Sequence, residues 1–102
     1  MEFVKIASTK DLTPGKMMGA EAGGKQILVA NVNGKYYAIG DECTHRGCKL
    51  SGGTFKEGGV VQCPCHGSNF DAKTGNVTKG PAITPEPVFQ VKVEKDQILV
   101  NI

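Results

Sequence analysis

A chain of 102 residues suits one small domain and is too short for two independent cores. Its 39% hydrophobic and 22% charged residues exclude a disordered chain, and fourteen glycines with five prolines favour a loop-rich β domain over a helical bundle. A net charge of +2 with no basic run excludes a nucleic-acid footprint, and the longest aliphatic stretch, Ile27–Ala30, is too short for a membrane-spanning helix.

The first residues, MEFVKIASTKDLTPG, lack a charged segment followed by an apolar one, which predicts no signal peptide and a cytoplasmic location. Within them Glu2 to Ile6 reads as a strand and Asp11 to Gly15 as a turn. The clearest hairpin joins Gln26–Val32 to Lys35–Ile39 through Asn33-Gly34, a pair suited to the positive φ angles of a type I′ turn. Ser51-Gly52-Gly53 and Gly58-Gly59 bracket a short return connection, and Gly59 to Gln62 reads as a strand. Ser68 to Asp71 leads away from the middle of the chain, and Asp71 to Asn76 reads as a turn. Pro81, Pro85 and Pro87 make Gly80 to Pro87 an irregular segment, since proline cannot donate to a ladder. Val88 to Glu94 alternates Phe89, Val91 and Val93 with polar residues, which predicts one half-buried strand. A turn at Lys95-Asp96 and a strand from Gln97 to Ile102 complete an all-β reading: a single domain, 1–102, with an insert at about residues 41–71.

That insert holds all the cysteines and histidines of the chain. The four cysteines lie between Cys43 and Cys65, and both histidines, His45 and His66, lie among or beside them. A disulfide scaffold would spread its cysteines through the chain and would not need the histidines, so the clustering points to a metal. Cys43 with His45 forms a C-x-H pair, and Cys63 with His66 forms a C-x-x-H pair. Three chemistries compete: a [2Fe–2S] cluster held by two cysteines and two histidines, a structural zinc, and an all-cysteine [2Fe–2S] cluster. The all-cysteine cluster fits poorly, because C-x₄-C from Cys43 to Cys48 continues as C-x-C rather than C-x₂-C. Zinc satisfies the spacing but leaves Cys48 and Cys65 without a task.

C-x-H followed after 17 residues by C-x-x-H, within CTHRGCKLSGG and CPCHGSNFD, resembles the Rieske family. The resemblance is dense over residues 41–71 and reaches the flanks only in pattern. It implies a fold of three antiparallel sheets with the cluster at the tip of a small subdomain. It implies that Cys43 and Cys63 hold the inner iron and His45 and His66 the outer one. It also implies a Cys48–Cys65 disulfide clamping the two loops, a feature of respiratory and photosynthetic members that dioxygenase ferredoxins usually lack. A Rieske centre exchanges one electron at roughly −150 to +300 mV. Ser68 matches a family serine that donates to a bridging sulfide and raises the potential. High-potential members carry a tyrosine where this chain has Phe70, so an intermediate-to-high value is expected, below the respiratory type. Arg46 stands where quinol-oxidising members carry leucine, and suits docking to a polar or acidic partner. Pro81 matches the proline loop that covers one face of the cluster.

The expected function is that of a monomeric one-electron carrier between redox proteins, not an enzyme, similar to the small Rieske ferredoxins of archaea and bacteria. Neither nucleic-acid binding nor membrane insertion is expected. Alternatives are the ferredoxin or small subunit of an oxygenase or nitrite reductase, the soluble head of a quinol-oxidising complex, and a zinc-stabilised interaction module.

Overall fold

The computed structural model describes residues 3–44, 47–65, 67–80 and 82–102. Among these residues regular structure is all β apart from two 3₁₀ turns, Thr9–Asp11 and Leu50–Gly52. The strands are β1 Phe3–Ser8, β2 Met17–Ala22, β3 Lys25–Val32, β4 Lys35–Gly40, β5 Thr54–Lys56, β6 Val60–Gln62, β7 Asn69–Asp71, β8 Val77–Lys79, β9 Val88–Phe89, β10 Val91–Glu94 and β11 Gln97–Asn101. They form three sheets, ordered β1-β11-β10, β2-β3-β4-β9 and β5-β6-β7-β8, and every pairing is antiparallel. The three-sheet, all-β architecture is the one the resemblance implies.

The run Ile27–Ala30 has a tertiary explanation. In a strand with one wet face it would push every second apolar side chain into water. Here the central sheet is covered on both faces. Ile27 and Val29 pack with Ala7, Leu12, Ala38, Ile98 and Val100 toward the terminal sheet. Leu28, Ala30 and Val32 pack with Ile39, Leu50, Val61 and Phe70 toward the third sheet. One strand thus serves two cores, and Cys43 and Cys63 belong to the second.

The β3–β4 hairpin turns as expected, with Asn33 at φ 54° and Gly34 at φ 92°. Buried Asn31 fixes it, accepting from the Gly34 N–H at 2.8 Å and donating to the Leu12 carbonyl at 2.9 Å. Other segments depart from the sequence reading. β2 pairs with β3 from Met17 to Ala22, a strand the sequence reading leaves unassigned. Its MMGAEA composition carries little β propensity, and pairing supplies what propensity lacks. The expected connection between Gly53 and Gly58 contains β5. Val88–Glu94 is two strands in two sheets, broken at Gln90; Phe89 and Val91 pack against the core, and Val93 is 47% exposed on the edge strand β10. The third sheet runs on to Lys79.

The base of the Cys43 segment is stapled. The Asp41 carboxylate accepts from the Ser51 N–H and hydroxyl, both at 2.7 Å, while Leu50 N–H donates to the Asp41 carbonyl at 2.8 Å. Gly19 on β2 makes room: a Cβ there would come within 2.6 Å of both Asp41 Oδ2 and Ser51 Oγ. Glu42 and Lys49 pair as an isolated antiparallel bridge, which brings together the chain on either side of the Cys43 segment.

Candidate metal centre

Two six-residue loops carry the cysteines, and they close in the same way. In residues 43–48 the Cys43 N–H donates to the Cys48 carbonyl and the Gly47 N–H to the Cys43 carbonyl, both at 2.7 Å. In residues 63–68 the Cys63 N–H donates to the Ser68 carbonyl at 2.8 Å and the Gly67 N–H to the Cys63 carbonyl at 3.2 Å. Gly47 (φ 75°) and Gly67 (φ 77°) occupy the fifth position of each loop in the left-handed region, which glycine enters without penalty. The first residue of each loop, Cys43 or Cys63, is buried and takes no part in a disulfide.

Cys48 and Cys65 form a disulfide that joins the loops, with their Cα atoms 6.4 Å apart. The sulfurs of Cys48, Cys63 and Cys65 lie within 4.8 Å of one another. Because two of these are bonded to each other, Cys63 alone of the three offers a thiolate, and the all-cysteine cluster is excluded. The remaining donor set, one buried cysteine at the head of each loop, fits the two-sulfur half of a mixed cysteine–histidine cluster. His45 and His66, the expected outer ligands, lie outside the described residues, as do Arg46 and Pro81.

Residues 82–87 strap both loops. Ser68, fully buried, accepts from the Ala82 N–H at 3.0 Å through its hydroxyl oxygen, which leaves the hydroxyl proton available. The Thr44 hydroxyl donates to the Thr84 carbonyl at 2.6 Å. Glu86 N–H donates to the Gly75 carbonyl at 2.8 Å, and Gly40 N–H donates to the Pro87 carbonyl at 3.0 Å. Phe70 is fully buried in the same core as Cys43 and Cys63.

Glu86 is 5% exposed, and its Oε2 has no hydrogen-bond partner among the described residues. Burial pushes its pKa from 4.5 up to about 7; the Thr44 backbone N–H opposes the rise, and the charges of Asp41 and Glu42 add to it. Asp41 and Glu86 lie outside the quoted motifs and Thr44 and Ser51 lie within the first without being metal donors, so sequence reasoning passes over all four. Their roles depend on contacts between segments far apart in the chain.

The profile of the Rieske [2Fe–2S] domain family matches residues 2–95. The ferredoxin component of biphenyl 2,3-dioxygenase from Rhodococcus jostii (strain RHA1) is 41% identical over 102 residues, covering 100% of this chain and 94% of the relative. Among solved structures, the ferredoxin of carbazole 1,9a-dioxygenase from Nocardioides aromaticivorans IC177 superposes with a TM-score of 0.92 at 30% identity, covering 98% and 97% of the two chains. A chain from a complex of reduced oxygenase and oxidised ferredoxin in carbazole 1,9a-dioxygenase gives a TM-score of 0.88 at 33% identity, covering 96% and 91%.

Proposed function

On the premise that this chain belongs to the Rieske [2Fe–2S] family, we propose that it delivers electrons singly to the terminal oxygenase of a ring-hydroxylating dioxygenase system. The carrying observation is the match to a dioxygenase ferredoxin along nearly the whole of both chains. The protein is an electron carrier with a Rieske-type cluster, and substrate turnover belongs to the partner.

In this reading Cys43 and Cys63 bind one iron and His45 and His66 the other, within a single domain whose cluster-binding part is the insert at about residues 41–71. When bound, the cluster supplies a one-electron couple within roughly −150 to +300 mV. The protein's own part is positional. Buried cysteines keep water from the sulfur ligands, and the Cys48–Cys65 disulfide holds the two loops in register. The Ser68 hydroxyl has a proton to donate toward the bound group, favouring its reduced, more negative form. Phe70 has no hydroxyl to add a second such bond, and Arg46 supplies a cation suited to an acidic partner surface. We place the protein in the cytoplasm as a monomer; among the described residues no helix is long and apolar enough to cross a membrane.

The disulfide favours a second reading, the soluble head of a quinol-oxidising complex, which takes its electrons from quinol. Potentiometric titration with optical detection separates the two. A potential in the lower or middle part of the family range, with electron transfer to a terminal oxygenase, supports the dioxygenase reading. A pH-dependent potential at the upper end, with no such transfer, refutes it in favour of the quinol-oxidising system. Absence of any redox-active chromophore in iron-reconstituted protein would refute both.

A further inference from the structure

The strap of residues 82–87 presents one side chain in an unusual way. Ile83 is 92% exposed, the highest value among the large hydrophobic side chains of the described residues. Burial of an isoleucine is strongly favourable, so a fold gains nothing by holding one in water. A loose loop would explain the exposure, but this backbone is tied on both sides. Directly before Ile83, the Ala82 N–H is bonded to the Ser68 hydroxyl; directly after it, the Thr84 carbonyl accepts from the Thr44 hydroxyl. Thr44 belongs to one cysteine loop and Ser68 to the other. Two further backbone bonds fix the strap at Glu86 and Pro87.

We propose that Ile83 is the apolar anchor that seats this ferredoxin on its electron acceptor, a terminal oxygenase presenting an apolar recess beside its point of electron entry. The inference rests on the dioxygenase reading and sharpens it. A partner that takes an electron at close range must cover the end of the molecule where the two cysteine loops meet. The strap is bonded to both loops, so the covering surface meets Ile83 as well. Because the backbone on either side is already fixed, seating this side chain costs little ordering entropy, which is the condition under which one buried group contributes strongly to affinity. An oxygenase is the favoured occupant because a similarly folded ferredoxin, from which a chain 33% identical to this one is known, forms a complex with its oxygenase.

The test uses the cluster-loaded protein, reduced beforehand with dithionite so that no donor protein enters the assay. The probe is the terminal oxygenase of the Rhodococcus jostii biphenyl system, and the rate of its reduction is followed against ferredoxin concentration. Ile83→Ser and Ile83→Asp are expected to raise the half-saturating concentration by on the order of tenfold or more. The limiting rate, reduction potential and visible circular dichroism stay unchanged, and Ile83→Leu stays near the parent. Equal half-saturation for the parent and Ile83→Asp overturns the anchor and leaves the dioxygenase reading standing. A changed potential or limiting rate with unchanged half-saturation also overturns it, because the side chain then acts on the cluster rather than on docking. A concentration-dependent dimer abolished by Ile83→Asp reassigns the side chain to self-association. Failure of the parent protein to reduce the oxygenase at any concentration removes the dioxygenase reading and the anchor with it.

Discussion

Loop 43–48 and loop 63–68 are closed by the same two backbone hydrogen bonds around a left-handed glycine, yet their sixth residues differ, Cys48 in one and Ser68 in the other. Cys48 bonds covalently to the third residue of the opposite loop, Cys65, whereas Ser68 holds the strap through Ala82. Loop 43–48 reaches the same strap from its second residue, Thr44, where loop 63–68 has proline. The frame is therefore a property of the backbone, and the side chains hung on equivalent positions do different work. One set holds the loops to each other, and the other holds a cover against them.

The largest effect separates the heads of the loops from the disulfide. Cys43→Ala and Cys63→Ala are each expected to abolish iron binding, read as loss of visible absorbance and of iron by elemental analysis. The Cys48→Ala/Cys65→Ala variant is expected to acquire the cluster and lose it several-fold faster at moderate temperature. A double variant that keeps its cluster as long as the parent would show that the hydrogen-bonded frame alone suffices.

Glu86 comes next, because it receives the backbone N–H of Thr44 and so bears on one loop only. Its carboxyl titrates near 4.5 in the unfolded chain and near 7 in the folded one. Below pH 4.5 both states are protonated and nothing is lost. As pH rises from 4.5 through 7 the unfolded state gives up the proton first, and the folded state loses on the order of 2–3 kcal/mol. Glu86→Gln keeps an acceptor for Thr44 and removes the titration. Denaturant unfolding at pH 4.5, 6 and 8 is expected to show a fall in the parent that the variant lacks.

Ser68→Ala acts on the other loop. It leaves a buried Ala82 N–H without its acceptor, a cost of about 1–3 kcal/mol. It should also lower the reduction potential, while Phe70→Tyr should raise it; a potential unmoved by both substitutions would sink the hydrogen-bond tuning.

The smallest effects test the shared frame itself. Among the described residues, Gly47→Ala meets no atom within 4 Å, and Gly67→Ala meets only Gln62 Nε2 at an ordinary 3.6 Å. Each then costs only backbone strain, about 1–2 kcal/mol. Unfolding energies for the two variants that differ by more than about 1 kcal/mol would break the equivalence of the loops.

How legible the molecule is depends on the range of the interactions. Asn33-Gly34 announces the β3–β4 hairpin because two positive φ angles are a local demand. The turn at Lys95-Asp96 is legible for the same reason, with both residues at positive φ (45° and 66°) and the strands β10 and β11 paired around them. β2 escapes because nothing local favours a strand in MMGAEA; its partner β3 decides it. The alternation through Phe89, Val91 and Val93 is real, but alternation cannot say that the chain changes sheets at Gln90. The pairing of Cys48 with Cys65 comes from family resemblance, since four cysteines allow several pairings and spacing does not choose among them.

By itself the sequence determined the chemistry of this protein. Ligand type and close spacing are local covalent facts, and two short motifs of cysteine and histidine at one separation leave few metal centres possible. Only the tertiary structure decided how that chemistry is housed. It set a central sheet buried on both faces, a strap tied to each loop by one side-chain hydrogen bond, a carboxyl raised by burial, and an isoleucine held out in water. Each of these depends on residues distant in the chain meeting in space, where burial and hydrogen bonding fix the energy and no local pattern records it.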